Sequence, residues 1–165
     1  AFEDTALARN KQGYNIYTTL NPIKSDFEGK SAGDIDIAFR NLLLIDIDRT
    51  GDTKQPATDQ DIQNAKDLAD EVMAYLSGLG WPPPTRVMSG NGHHLYYALD
   101  ALPNSTESKV LISQALKGLA KKFNNENVSI DTNVSNASRI TKVPGTIMRK
   151  GEESSDRPYR MAVVL

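Results

Sequence analysis

The 165 residues carry 19 Lys and Arg against 21 Asp and Glu, a formal charge of −2, and include no cysteine. That length suits one domain with a real core or two small modules sharing an interface, and the charge argues against a general polyanion binder. Without cysteine there is no disulfide scaffold, thiolate metal site or cysteine nucleophile, and no apolar run is long enough to cross a membrane.

The chain starts Ala1-Phe2-Glu3-Asp4, which is neither a signal peptide nor an initiator methionine, and it reads as a fragment of a longer cytoplasmic protein. Asn15 to Leu20 is rich in β-branched and aromatic residues and is stopped by Asn21-Pro22, which predicts a strand. From Pro22 to Asp36 the chain is polar, with Gly29 and Gly33, and predicts a loop holding at most a short helix. Leu42-Leu43-Leu44-Ile45-Asp46-Ile47-Asp48 then predicts a strongly buried strand ending in two carboxylates. Residues i and i+2 of a strand share a face, so Asp46 and Asp48 project together. Two like charges that close, partly buried, imply a compensating cation, and a divalent metal is the natural candidate. The plainer reading is an edge strand whose aspartates face solvent.

After Gly51 and Pro56 a helix opens on Thr58 as N-cap, with Asp61 completing a capping box. Ile62, Ala65, Leu68, Ala69, Val72, Leu76 and Leu79 give it one apolar face, and Gly78, Gly80 and Pro82-Pro83-Pro84 end it. Arg86 to Leu99 reads as two extended runs joined at Gly90-Asn91-Gly92, whose backbone N–H groups could cradle phosphate. In the returning run His94, Tyr96 and Ala98 share one face, and His93, Leu95, Tyr97 and Leu99 the other. A second helix is expected from Asn104 as N-cap, with Ile112, Ala115, Leu116, Leu119 and Phe123 as its buried stripe. Beyond it Val128-Ser129-Ile130-Asp131 places another aspartate at the end of a short extended segment, where a lone aspartate is usually a turn former. Between Arg139 and Arg160 the chain gathers Arg139, Lys142, Arg149, Lys150, Arg157 and Arg160, which charge alone reads as a solvated basic loop.

Three strand-end aspartates, a histidine in a Gly-rich hairpin and a following basic set are the parts of metal-dependent nucleotidyl transfer. In order and spacing these stretches resemble the catalytic domain of archaeo-eukaryotic primases, in the primase-polymerase branch of phages, plasmids and mobile elements. The resemblance lies in Leu44-Ile45-Asp46-Ile47-Asp48, Ser89-Gly90-Asn91-Gly92-His93-His94 and Ile130-Asp131, flanked by Ile16 to Pro22 and by Asn136 to Ile140 running into Pro144-Gly145-Thr146. It implies an α+β fold of two small α/β modules within residues 1–165, the second RNA-recognition-like, with the active site in the cleft between their sheets. It further implies Asp46, Asp48 and Asp131 as catalytic ligands of Mg²⁺ or Mn²⁺, and Ser89, Asn91, His94, Arg139 and Lys150 as nucleotide-binding residues. Its partners would be a single-stranded DNA template, nucleoside triphosphates and a helicase or accessory module. Arg49-Thr50 stands where that family is expected to have a proline-led loop.

Two other readings use parts of the same sequence. Asp46-Ile47-Asp48-Arg49-Thr50 fits the nucleophile motif of haloacid-dehalogenase-type phosphatases, with Asp46 attacking phosphorus, but the later acidic pair is missing and the Gly-rich hairpin has no role. A noncatalytic single-strand-binding module would use Tyr96 and Tyr97 as exposed stacking surfaces and leaves the aspartates unexplained.

Overall fold

A computed structural model describes residues Ala1–Leu165. In chain order the elements are α1 (Phe2–Lys11), β1 (Tyr17–Thr19), a 3₁₀ turn (Asp34–Asp36), β2 (Phe39–Arg49), α2 (Asp59–Gly78), β3 (Thr85–Met88) and β4 (His93–Pro103). There follow α3 (Thr106–Phe123), β5 (Val128–Ile130), β6 (Ile140–Lys142), β7 (Ile147–Met148), β8 (Arg160–Met161) and β9 (Val163–Val164). Five strands form one sheet in the order β5-β2-β4-β3-β9, while β1 pairs with β6 and β7 with β8, and every pairing is antiparallel. The mixed α+β class expected from the sequence is the one observed.

The core lies between this sheet and the two long helices. Leu43, Ile45 and Ile47 of β2 and Leu95 and Tyr97 of β4 are buried in the same cluster as Ala65, Leu68, Ala69, Val72 and Leu76 of α2 and Ile112, Leu116 and Leu119 of α3. The α2 cap forms as expected, with Thr58 Oγ1 accepting from Asp61 N and Asp61 Oδ2 from Thr58 N. Gly80, at φ +85°, follows the helix end, where a side chain would be strained.

Several expectations need correcting. The α3 N-cap is Ser105, whose Oγ accepts from Ser108 N at 3.2 Å. Asn104, expected in that role, instead donates to Asp34 O and Ile37 O and ties the helix start to the loop before β2. Leu79, placed on the apolar face of α2 by periodicity, lies past the helix end and is exposed. β2 is central, flanked by β4 and β5, so the edge-strand reading of Asp46 and Asp48 fails. Helix α1 has no apolar stripe to announce it; only Ala6 and Asn10 are buried, and Asn10 is held by hydrogen bonds to Tyr14 O, Ile147 O and Ile147 N.

Candidate active site

Alternation along β2 divides its side chains between two environments. Leu43, Ile45 and Ile47 face the helices; Leu44, Asp46 and Asp48 face the opposite way, towards the segment that carries β6. Cross-strand register then chooses the neighbours of Asp46. On one side it pairs with His94 of β4, and His94 Nε2 lies 3.3 Å from Asp46 Oδ1. On the other, Asp131 N donates to Asp46 O at 2.9 Å, so Asp131 continues the β2–β5 ladder and sits beside Asp46 on the same face. Residues far apart in sequence thus form one row, His94, Asp46, Asp131, with Asp48 one step further along β2.

The four do not share an identical state. The His94 approach is off line for a hydrogen bond, and Asp46 Oδ1 is buried with no partner. Asp131 Oδ1 accepts from Asn133 N at 2.8 Å, an Asx turn, so its carboxylate is engaged locally and no three acidic or histidine side chains converge as a metal cage. Burial disfavours charge on Asp46, yet the adjacent His94, then Arg139 and Lys150, bring its pKa below the ordinary value. Burial and then the Asp46 charge push Asp48 up to about 6. Burial opposes a charged His94, and Asp46, with Asp48 behind it, overrides that and raises its pKa.

His94 is positioned from behind. Its Nδ1 lies 2.8 Å from Tyr96 Oη, and that hydroxyl also bonds Thr141 Oγ1 of β6, so the chain links the five-stranded sheet to the β1–β6 ribbon. This link was not legible beforehand, because Thr141 bears no motif and meets His94 only through the fold. Tyr96 is therefore engaged, and Tyr97 is buried with its ring edge-on to Trp81 at 5.2 Å, which removes the exposed stacking surface that the single-strand-binding reading required. His93 faces the helices as alternation demands. It is buried, its Nδ1 accepts from Arg86 Nε at 3.4 Å, and burial followed by the Arg86 charge lowers its pKa to about 4.

The Gly-rich turn is shaped by contact more than by free N–H groups. Gly92 N donates to Ser89 Oγ, and Gly90 N to Met88 Sδ, so the expected phosphate cradle at the glycines is satisfied internally and Ser89 is occupied in closing the turn. Gly92 lies against Asp48 Oδ1 and Ile47 O so closely that a Cβ has no room. Asn91 Oδ1 accepts from Ala57 N while its buried Nδ2 has no partner. Asn91 lines a small polar pocket with Asp48, Arg49, Thr53, Gln55 and Lys150.

The basic stretch divides into clamps and site charges. Arg157 and Arg160 bind Pro56 O and Ala57 O and hold the loop before α2, and Arg149 binds Asn10 O. Arg139 is anchored by Asn136 Oδ1 and Asn133 O, and with Lys150 it contributes positive potential at Asp46. Thr50, third polar residue of the phosphatase-like motif, points away to Glu126 O.

No family model and no curated protein matches the sequence. Among solved structures, the archaeo-eukaryotic primase domain of the cyanophage S-2L primase-polymerase is similar with a TM-score of 0.57 at 17% identity, over 98% of this chain and 67% of that one. The polymerase domain of Mycobacterium tuberculosis ligase D, in complex with DNA, is similar with a TM-score of 0.55 at 16% identity, over 89% of this chain and 52% of that one. The chain thus spans about two thirds of the first and half of the second. No helix is long and apolar enough to cross a membrane. On this likeness the chain has an archaeo-eukaryotic primase-type fold.

Proposed function

We propose that this domain transfers nucleotides from nucleoside triphosphates to a primer 3′ end on a single-stranded DNA template. The observation that carries the reading is Asp46 Oδ1, buried and without a hydrogen bond, with only the His94 Nε2 ion-pair contact at 3.3 Å, beside Asp48 and in line with Asp131. A carboxylate oxygen without a hydrogen bond in that position, with a second carboxylate made reluctant to ionise by burial and then by its neighbour, fits hard divalent cations such as Mg²⁺ or Mn²⁺. A bound pair of such ions would supply Lewis-acid stabilisation to the attacking and leaving oxygens.

Asp46 and Asp48 would hold such an ion from β2, and Asp131 would join them once its carboxylate is released from Asn133 N. Tyr96 keeps His94 Nδ1 engaged and leaves Nε2 as the donor, which turns from Asp46 to a phosphate oxygen when nucleotide enters. Arg139 and Lys150 balance the triphosphate charge, and the Asn91 amide contributes its free Nδ2–H groups at the mouth of the site. Ser89 acts through the turn geometry that sets Gly92 against Asp48. The primer's 3′-hydroxyl gives up its proton to solvent as its oxygen bonds the α-phosphorus and the bond to pyrophosphate breaks. Residues 1–165 act in this reading as one catalytic domain, with a helicase or accessory module as its replicative partner.

The test is extension of a primed single-stranded template with labelled nucleotides, with and without Mn²⁺ or Mg²⁺. Metal-dependent extension that disappears in Asp46→Asn, with the thermal midpoint retained, is the expected result. Phosphate release from a small phosphomonoester without a templated product would replace this reading by the phosphatase one.

A further inference from the structure

A cavity of ≈ 590 Å³ lies away from the aspartate row. It opens at the far end of β2, lined by Lys24, Arg40 and Lys109, by Asp34, and by Ser105 and Thr106 at the start of α3. Arg40 and Asp46 are six residues apart on one strand, which sets them roughly 20 Å from each other.

Arg40 is the unusual member. It is 2% exposed, yet its guanidinium makes a single hydrogen bond, Nη1 to Ser135 O at 2.8 Å, and its Nε is buried without a hydrogen-bond partner. The one carboxylate in the cavity, Asp34, acts on Arg40 through space and makes no hydrogen bond to it. Asp34 Oδ1 accepts from Ser138 N and Ser138 Oγ, and its Oδ2 lies 3.5 Å from Lys109 Nζ. Burying a guanidinium with one hydrogen bond and no carboxylate in contact is costly, so at the wall of a cavity such an arginine signals an anion that completes it.

The other lining groups agree with that sign. Lys24 and Lys109 are both exposed on the rim, and three cations against one carboxylate leave the cavity at +2. Helix α3 is 18 residues long and starts here, so the Thr106 N–H, which has no intrahelical acceptor, adds the positive end of its dipole, while the Glu107 N–H lies against its own carboxylate. A phosphate group, at about −1.5 to −2, matches this charge and presents enough acceptor oxygens for a guanidinium, two ammonium groups and helix N–H groups together.

We propose that this cavity is a second anion site, separate from the aspartate row, that takes a phosphate group, either free or as part of a nucleic-acid strand. The site does not depend on the nucleotidyl-transfer reading, because none of its residues belongs to the aspartate row.

The experiment is a nitrogen-15 NMR titration of the intact chain, once with inorganic phosphate and once with a single-stranded DNA oligonucleotide. The Thr106 and Glu107 amides and Arg40 Nε are the reporters. Saturable shifts of these resonances are expected with at least one probe, and the tighter probe identifies whether the phosphate arrives free or on a strand. The double variant Lys24→Ala/Lys109→Ala removes only rim side chains and should weaken that binding about tenfold or more. Asp46→Asn should leave it unchanged even if extension activity is lost or never present, which separates this site from the catalytic reading. Absence of saturable shifts with both probes, or a double variant that binds like the parent, overturns the proposal.

Discussion

Asp46 and Asp48 are chemically identical and two residues apart, and the fold gives them opposite tendencies. Asp46 has His94 beside it, which outweighs its burial and lowers its pKa; Asp48 is pushed up to about 6 by burial and then by the Asp46 charge. Metal must displace the Asp48 proton, so Mn²⁺ affinity should fall as pH drops through about 6, measurable by calorimetric titration between pH 5 and 8. In the metal-free protein a raised carboxylate pKa means the folded state takes up the proton first, so Asp48 gains stability as pH falls from about 6 towards 3.8. His93 has the reverse sign. Its pKa is lowered from 6.5 to about 4, the unfolded chain protonates first, and stability is lost over that window as pH falls. Denaturant titrations should therefore show steeper acid destabilisation in Asp48→Asn and shallower in His93→Gln. At pH 7, Asp48→Asn should raise the midpoint of the metal-free protein, since the like-charge repulsion is gone. The adjacent histidines separate by assay as well. His94→Ala removes a charge-assisted phosphate donor and should lower kcat/KM for nucleotide by about ten- to a hundredfold, whereas His93→Ala should cost stability and leave turnover per folded molecule within about threefold. The opposite ranking would place the motif histidine one residue earlier.

At the scale of elements, the site is a product of strand register. The β2–β4 register opposes Asp46 to His94, and the β2–β5 ladder brings in Asp131, while the Gly92 turn closes over Asp48. Gly92→Ala should therefore displace the Asp48 carboxylate. Extension should fall at least as far as a mild Asp48 substitution while far-UV circular dichroism is retained, and parent-like extension would remove the turn from the site. Alternation within β2 and within β4 was legible in the sequence, because period-two patterning fixes the face of every residue once one side is buried. The long helices were legible for the same reason, from their apolar stripes and the Thr58–Asp61 cap. What was not legible depends on which strands become neighbours: the Tyr96–Thr141 link behind His94, the use of Ser89 within its own turn, and the switch of the α3 cap from Asn104 to Ser105. Local sequence offers two capping residues in a row there, and only the tertiary demand of Asp34 O and Ile37 O for a donor assigns Asn104 elsewhere. Tyr96→Phe isolates one of these hidden contacts. Without the hydroxyl, His94 Nδ1 keeps only the longer contact to Thr141 Oγ1 at 3.4 Å, and the nitrogen-15 signature of the His94 tautomer should change together with a fall in kcat, while the midpoint moves little.

Across the whole molecule, the five-stranded sheet separates stability from chemistry. One face carries the apolar core against α2 and α3; the other carries the aspartate row, roofed by the segment from Asp131 to Lys142. Substitutions such as Ile45→Ala act on the first face and should cost about 2–5 kcal/mol in stability, without a selective effect on extension. The central claim concerns the second face: that Asp46, Asp48 and Asp131 together hold divalent metal. The most direct measurement is a crystal structure with Mn²⁺ and a non-hydrolysable nucleoside triphosphate, read by anomalous scattering. The account predicts anomalous peaks bridged by the Asp46 and Asp48 carboxylates, with Asp131 turned from Asn133 N into the coordination sphere and the triphosphate near His94, Arg139 and Lys150. Manganese bound elsewhere, or an aspartate row left empty with Asp131 still in its turn, would contradict it.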